Sequence, residues 1–423
     1  MFKVVTLKNG IKIAMEEMDA IRSVSFGIWV KNGSRNETRS ENGISHFIEH
    51  MMFKGTDRRS AKDIADEMDA VGGQINAYTT KEYTCYYTRT LDSHLSIAMD
   101  VLSDMYLRSS FDETEIKKEC NVIAEEIDMY EDTPEETVHD LLQSHIWENN
   151  PLGFSVIGEK NTISSFRRDS FKGYLKRHYS PENTVITLVG HFNPDEVVQR
   201  IEQVFGGFTG IGKEDSITPE VVYTPGISLK PKDIEQTHLC LGFPAISLGD
   251  DRSYDLTVMN TVFGGGMSSR LFQTIREENG MAYSVYSYMT PYTDTGLFTV
   301  YIGFNANQAE DVIRLTFDVI HGFFTDKVTR EQLDKTREQL KSNFLLSLES
   351  TSSRMSSLGR SQLLLNRTLS DDEIVEKLDA VTLDSLYDMA RLVFDMNKIS
   401  MCVVGRLGDW DYEALLNNAK QRG

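Results

Sequence analysis

The stretch that decides the fold is NGISHFIEHMMFKG, residues 42–55. Its apolar residues recur at positions 44, 47, 48, 51 and 52, and this spacing predicts a helix. His46 and His50 are then one turn apart and share a face of that helix. Two imidazole nitrogens on one face can bind a single metal ion, and Glu49 lies close enough to reach a water on that ion.

The spacing of His46, Glu49 and His50 is the H-x-x-E-H pattern of inverted zincins. A zinc-bound water has a pKa of about 7, so a neighbouring carboxylate can take its proton while the metal polarises a substrate carbonyl. The pattern therefore predicts peptide-bond hydrolysis without a covalent intermediate. The alternative is that the imidazoles hydrogen-bond locally and that Glu49 is a surface charge.

Length and composition predict a globular protein of two domains. The chain has 423 residues, which fits two domains of about 200 residues each. No apolar run approaches the roughly 18 residues of a membrane helix. The N-terminal residues MFKVVTLKNG are typical of a strand and turn, not of a signal peptide, and the four cysteines form no C-x-x-C pair. A reducing cytoplasm is the predicted location.

The net charge is −20, from 64 acidic and 44 basic residues. This balance disfavours binding to nucleic acid and favours cationic partners. The alternative is that the acidic surface only keeps the protein in solution.

The two halves of the chain repeat one order of elements at an offset near 215 residues. In the first half the predicted elements are strands within 3–31, the helix around His46, a helix at 61–70, two strands within 74–91, helices at about 92–107, 113–130 and 166–178, and a strand at 184–190. In the second half they are a strand at 238–243, helices at 253–263 and 268–278, strands at 282–288 and 296–304, helices at about 307–324, 328–350 and 382–393, and a strand at 399–405.

This repeat predicts an α+β fold with two homologous α/β domains from an internal duplication. Each domain is expected to be a mainly antiparallel sheet packed with helices. The predicted domains are 1–210 and 228–423, and the linker at 211–227 is rich in Gly, Thr, Pro and charged residues.

A catalytic zinc site usually has three protein ligands, so the two histidines leave one position to fill. On the helix predicted at 113–130, Glu119 and Glu126 are seven residues apart and lie on one stripe beside the buried side. One of them can bind the metal while the other orients it or a histidine. The alternative is that both are exposed charges on an acidic helix.

The motif followed by Glu126 resembles the M16 metallopeptidases, the family of pitrilysin, insulin-degrading enzyme and processing peptidase, over the whole chain. It looks most like the M16B bacterial processing proteases and is similar to the β subunit of mitochondrial processing peptidase. The resemblance implies that His46, His50 and Glu126 bind one zinc ion per chain and that Glu49 is the general base. Glu119 matches a carboxylate that supports the ligands. The same ligand set would accept cobalt or manganese.

The second copy lacks this motif, because residues 253–263 contain no histidine and Asn343 stands near the position that matches Glu126. It carries Arg276 and Tyr283, which are similar to the family's arginine and tyrosine pair. That resemblance implies that the two side chains grip substrate backbone and help to stabilise the tetrahedral intermediate. Alone, Arg276 is typical of a charge at a helix C-terminus and Tyr283 of a core aromatic.

Two further segments resemble substrate-binding parts of the family. GGQINAYT, residues 72–79, is similar to an edge strand on which an extended peptide docks, so Asn76 and Ala77 would contact its backbone. The alternative is a core strand led by glycine. Glu136 and Asp140 align with acidic residues of the mitochondrial enzyme that bind an arginine near the scissile bond, and their i, i+4 spacing lets both reach one guanidinium. The alternative is a solvated acidic helix.

The predicted function is therefore a zinc endopeptidase that encloses unfolded peptides and cleaves near basic residues, either to mature precursors or to clear peptides. The family implies a clamshell homodimer in which Arg276 and Tyr283 of one subunit serve the zinc of the other. The alternative is a noncatalytic M16-like scaffold or a chaperone-like peptide-binding subunit, a class in which the zinc motif is usually degraded.

Overall fold

The structure, a computed structural model, describes residues 2–210 and 219–421. It contains two units, each built around one sheet. The first unit holds the chain up to Asp128 together with Phe154–Pro219 and Leu346–Ser370. The second holds Met129–Gly153, Glu220–Leu345 and the chain from Asp371 onward. Each unit thus includes a segment from the other half of the sequence, whereas the prediction divided the chain once, at 211–227. Residues 211–218 of that predicted linker lie outside the described residues.

The first sheet is mainly antiparallel. Its strands are β1 (Phe2–Thr6), β2 (Lys12–Glu17), β3 (Ser23–Val30), β4 (Gln74–Thr79), β5 (Thr84–Leu91) and β6 (Thr184–Gly190). Their order is β1-β2-β6-β3-β5-β4, and β2 and β6 form its parallel pair. The strand β4 lies at the edge, paired with β5 alone.

The second sheet repeats this topology. Its strands are β7 (Ile227–Pro231), β8 (Gln236–Ala245), β9 (Ala282–Pro291), β10 (Gly296–Asn305) and β11 (Ser400–Gly405). The order β7-β11-β8-β10-β9 matches β2-β6-β3-β5-β4, and β7 and β11 are again parallel while the other pairs are antiparallel. The predicted duplication is confirmed. Among the described residues, β1 has no counterpart in the second sheet.

Both the predicted helices, with small shifts at their ends, and several helices that were not predicted, at 160–163, 194–205, 351–360, 371–380 and 412–420, are present. They are α1 (Ile44–Met52), α2 (Ala61–Ala70), α3 (Leu95–Arg108), α4 (Glu113–Glu131), α5 (Pro134–Ile146), α6 (Lys160–Ile163), α7 (Arg168–His178), α8 (Pro194–Phe205), α9 (Ser253–Phe263), α10 (Arg270–Phe272), α11 (Ala309–Thr325), α12 (Arg330–Ser347), α13 (Thr351–Arg360), α14 (Asp371–Ala380), α15 (Leu383–Val393) and α16 (Tyr412–Lys420). A π-helical segment, Gln273–Glu278, continues α10.

Both faces of each sheet are covered. In the first unit, α1, α3 and α7 pack on one face, while α13 packs its Met355 and Leu358 on the other face beside Trp29. In the second unit, α5 covers the corresponding face of the sheet, because its Val138 and Leu142 lie in one cluster with residues of β8 and β11. None of the helices in the described residues is both long and apolar enough to cross a bilayer.

Candidate metal centre

The helix α1 is held at its start by a buried carboxylate. Glu37 accepts hydrogen bonds from the backbone N–H groups of Gly43, at 2.8 Å, and Ser45, at 2.9 Å. These N–H groups have no carbonyl partner within the helix, so the Glu37 carboxylate supplies the acceptor that they lack. Gly43 has φ +92°, and a Cβ there would lie 2.8 Å from the Cα of Gly158, so only glycine fits. This close approach fixes where the helix begins.

Two histidines and a glutamate meet beside α1. The Nε2 atom of His46 lies 3.9 Å from one carboxylate oxygen of Glu126, and the Nε2 atom of His50 lies 3.6 Å from the other. One donor atom from each of the three residues lies within 4.8 Å of the others. Zinc bonds of about 2.0–2.2 Å at tetrahedral angles put ligand atoms roughly 3.4 Å apart, so this donor set fits zinc. Within residues 2–210 and 219–421, no other group of three His, Cys, Asp or Glu side chains is so placed.

Burial controls the charge of the two imidazoles. It lowers the pKa of His46 to about 3, helped by the nearby charge of His50, so His46 is neutral and can donate a lone pair. Burial also acts to lower the pKa of His50, but the hydrogen bond with Glu119 and the charges of Glu126, Glu119 and Glu49 outweigh it and raise that pKa. The pair therefore lies in a negative environment that attracts a cation.

Glu119 contacts His50 on the ring nitrogen that faces away from Glu126. It is 3% exposed, and one of its oxygens lies 2.8 Å from His50 Nδ1 while the other lies 2.6 Å from Lys54 Nζ. Although burial acts to raise the pKa of Glu119, these two partners lower it below its ordinary value. With Nδ1 donating to this carboxylate, the lone pair of His50 is on Nε2, which faces Glu126. The interpretation of Glu119 as an exposed charge is wrong.

Glu49 is tied to the edge strand. Its Oε2 accepts a hydrogen bond of 2.5 Å from the hydroxyl of Thr79 in β4. Burial raises the pKa of Glu49 even though this hydrogen bond acts to lower it. Asn76 in the same strand is exposed, and its Oδ1 accepts the backbone N–H of Ala77 at 2.8 Å. Because β4 is an edge strand, the prediction for 72–79 is confirmed in its position and the core-strand alternative is wrong.

Arg276 and Tyr283 are also neighbours, within the second unit. Arg276 Nη1 donates to the backbone carbonyl of Tyr283 at 2.8 Å. The guanidinium carbon lies 4.8 Å from the centre of the Tyr283 ring and 4.9 Å from that of Phe272. Tyr283 is 76% exposed, so the interpretation as a core aromatic is wrong. Both side chains line a groove of about 460 Å³ beside the turn at 264–267.

Glu136 and Asp140 lie on α5, in the second unit, whereas His46, His50 and Glu126 belong to the first unit. Glu136 is exposed and accepts a hydrogen bond of 3.2 Å from the Tyr130 hydroxyl. Asp140 is half-buried. The helix on which both were expected is present, and their binding of a guanidinium stays a prediction.

The sequence analysis missed three residues that contact this part of the molecule: Glu37 at the start of α1, Lys54 beside Glu119, and Thr79 beside Glu49. The signal for Lys54 is its closeness in sequence, since it lies four residues after His50 and two residues after the end of α1. Thr79 lies inside a strand already singled out, but the strand's register against α1 is a tertiary property. Glu37 precedes the helix by seven residues across two turns, and no local pattern identifies it as a cap.

Two protein-family models match the chain. The model of insulinase (peptidase family M16) matches residues 12–160, and the model of the peptidase M16 inactive domain matches residues 165–340. The first match contains the candidate metal ligands, and the second covers most of the copy that lacks the motif.

Curated relatives and solved structures agree with this match. An uncharacterized zinc protease of Bacillus subtilis is 45% identical over 93% of this chain and 96% of its own length. One from Streptomyces coelicolor is 38% identical over 96% of this chain and 89% of its own length. The crystal structure of a protease from Helicobacter pylori has the same fold, with a TM-score of 0.89 at 20% identity, over 96% of this chain and 99% of that one.

Proposed function

Because the chain belongs to peptidase family M16, we propose that it is a zinc endopeptidase that hydrolyses unfolded peptides. One observation carries the proposal: His46, His50 and Glu126 present three donor atoms within 4.8 Å of one another, and Glu49 lies next to His50 on the same helix. The curated relatives are named zinc proteases, which supports the same metal.

When bound, zinc supplies Lewis acidity, which lowers the pKa of a water to about 7 and polarises a carbonyl. The residues of the chain do the rest. His46, His50 and Glu126 hold the ion, with Glu119 fixing the His50 ring. Glu49 accepts the proton of the attacking water and passes it to the leaving amine. Its raised pKa brings its basicity nearer to that of a base working at neutral pH.

The peptide is proposed to dock on β4, the edge strand. An added strand pairs its backbone with the open edge, which includes Asn76 and Ala77. Such a strand would run beside Glu49, because Thr79 of β4 contacts that carboxylate. Main-chain pairing needs an extended segment, so unfolded peptides are the substrates expected.

Arg276 and Tyr283 are proposed to bind substrate backbone and to stabilise the developing oxyanion. The guanidinium of Arg276 is already ordered between two rings, so it loses little conformational freedom when it binds a carbonyl. A donor of this kind is worth roughly 3 kcal/mol in other hydrolases. We further propose a homodimer in which this pair serves the partner's zinc. A purely monomeric protein in sedimentation velocity would contradict it.

Cleavage near basic residues is proposed from Glu136 and Asp140. Both carboxylates are on one face of α5, and Glu136 is exposed. The net charge of −20 also favours cationic peptides.

The test is cleavage of unstructured, arginine-containing peptides by the purified protein, with cut sites mapped by mass spectrometry. We expect cleavage that chelator removes and zinc restores, and that Glu49→Gln abolishes while zinc stays bound. Glu125→Gln is the matched control, since Glu125 is the exposed neighbour of Glu126 on α4. Cuts that ignore arginine would contradict the role of Glu136 and Asp140. If the folded, zinc-loaded protein cleaves none of several peptides, the scaffold alternative replaces this proposal.

A further inference from the structure

A lysine stands at the end of a hydrogen-bonded chain that leads to the metal centre. Lys54 follows α1, four residues after His50, and its ammonium lies 2.6 Å from one oxygen of Glu119. The other oxygen of Glu119 lies 2.8 Å from His50 Nδ1. The chemistry proposed above gives Lys54 no part.

We propose that Lys54 is a positioning residue for the zinc site, acting through Glu119 on His50; the inference rests on the proposed zinc-binding function. A carboxylate with one partner can rotate about its terminal bond, whereas a partner on each oxygen fixes its plane. Since His50 lies in the last turn of α1 and Lys54 lies just after the helix ends, Glu119 is held at two points by one short stretch of chain. The ring of His50 is thereby kept with Nε2 directed to Glu126.

Burial makes the lysine hard to replace. Glu119 is 3% exposed, so water has little access to the oxygen that Lys54 contacts. A buried carboxylate oxygen that loses its donor carries a large desolvation penalty. It can relieve that penalty by turning toward another donor, and such a turn breaks its alignment with His50.

The contact also joins the two helices that carry the ligands. His46 and His50 are on α1, Glu126 is on α4, and Glu119 is two turns before Glu126 on the same helix. The Lys54 contact therefore fixes the position of α4 against α1 at the level of the ligands. An ordinary surface lysine differs: Lys118 on α4 is 65% exposed at its side chain, against 30% for Lys54, and it pairs with Glu115 one turn away.

Four variants test the proposal by zinc affinity, measured at equilibrium against a chromophoric chelator, with circular dichroism as the check on folding. Lys54→Met removes the ammonium and keeps the aliphatic stem, whereas Lys54→Arg keeps a charged donor. Lys118→Met is the matched control, and Glu119→Gln removes the intermediary. The cost of losing an outer partner of a metal ligand is typically about 10- to 100-fold in affinity.

We expect Lys54→Met to weaken zinc binding at least about tenfold, Lys54→Arg to restore most of it, and Lys118→Met to bind like the wild type. In the Glu119→Gln background, Lys54→Met should add nothing, because its effect passes through that carboxylate. Wild-type affinity in Lys54→Met, or a full additional loss in the double variant, would overturn the proposal. If Lys54→Met does not fold, Lys54→Gln gives the same comparison.

The result is separable from that for the proposed function. A wild-type protein that binds zinc in this manner and cleaves no peptide would overturn the peptidase and leave the role of Lys54 standing. A folded wild-type protein that binds no zinc would overturn both.

Discussion

At the scale of single residues, the candidate metal centre depends on side chains outside the group of His46, His50 and Glu126. Glu37 is 2% exposed and accepts hydrogen bonds from Asn42, Gly43 and Ser45 at the start of α1. Two of these donors are backbone groups that no other part of the helix can pair. The position of His46, one residue after Ser45, therefore depends on a carboxylate seven residues before the helix.

Glu37 also predicts a pH dependence of stability. Burial raises the pKa of Glu37 from 4.5 to about 7, against the effect of its three donors. The folded state then keeps a proton that the unfolded state releases, so the contribution of Glu37 to stability falls as pH rises from about 4.5 to about 7, by up to about 3 kcal/mol. The test is the free energy of unfolding of the metal-free protein, measured by urea titration at pH 5 and pH 7.5 for the wild type and for Glu37→Gln. The value for the wild type minus that for Glu37→Gln should be smaller at pH 7.5 than at pH 5. A difference that grows with pH would mean that the donors lower the pKa instead.

The residues proposed to bear the chemistry could be singled out in the sequence because most of their pattern is local. His46, Glu49 and His50 lie within one turn, and Glu126 lies on a helix whose periodicity marks its face. Glu37 could not be predicted in this way, because its capping of α1 depends on the path of the chain through two short turns. Which of Glu119 and Glu126 joins the two histidines in the group of metal donors was likewise open from periodicity alone, since both share a stripe of α4 and both contact His50.

At the scale of elements, the contact between α1 and β4 links the proposed base to the proposed docking strand. The Thr79 hydroxyl in β4 donates to Glu49 in α1 and lies 3.3 Å from the Thr84 hydroxyl in β5. A peptide that pairs with β4 would therefore meet a base whose orientation the same strand fixes. In the proposed function, one side chain would thus join peptide binding to proton transfer.

This link predicts the effect of Thr79→Val. Valine keeps the branched shape of the strand residue and removes the donor, so peptide docking should change little while Glu49 loses its fixed orientation. A hydrogen bond to a charged group is worth about 1.5–3 kcal/mol, so kcat should fall about tenfold or more with KM changed less than about threefold. The control is Thr88→Val in β5, because the Thr88 hydroxyl has no hydrogen-bond partner. Equal losses in both variants, or a change confined to KM, would contradict the link.

Elements with a continuous apolar run or a clear helical spacing were predicted, whereas several helices, α13 among them, were not. The strands β3, β6 and β11 have nearly continuous apolar runs, and α1 and α11 have clear helical spacing. The helix α13, with the sequence TSSRMSSLGR, buries few apolar side chains besides Met355 and Leu358, so its pattern is too weak to identify it. Its stability comes from tertiary packing on Trp29, which a local pattern does not contain.

At the scale of the whole molecule, the two halves exchange a covering helix. The sheet face with Trp29 is covered by α13, which comes from the second half of the sequence, and the face with Cys240 and Cys402 is covered by α5, which comes from the first half. The order of elements along the chain could be predicted from the repeat near 215 residues, because both copies carry the same pattern. The exchange could not, because α5 and α13 occupy matching places in both copies and their patterns do not say which sheet each one covers.

The exchange predicts that neither half folds alone. A fragment of residues 1–210 contains every candidate metal ligand, yet it lacks α13, which covers Trp29, and it lacks Tyr292, whose ring centre lies 5.5 Å from that of Trp147. Each large apolar side chain left uncovered costs about 1.5–3 kcal/mol, so several such losses together approach the roughly 5–15 kcal/mol that stabilises a protein. Both tryptophans are fully buried in the intact chain, so their fluorescence in the 1–210 fragment should be red-shifted.

Adding a 219–423 fragment, or expressing the two together, should restore the blue-shifted emission and zinc binding, because each unit then regains its missing helix. The 219–423 fragment carries Trp410, so its own spectrum is subtracted. The control is the intact chain mixed with the same 219–423 fragment, whose emission should equal the sum of the two separate spectra. A 1–210 fragment with native emission and a cooperative unfolding transition of its own would contradict this account.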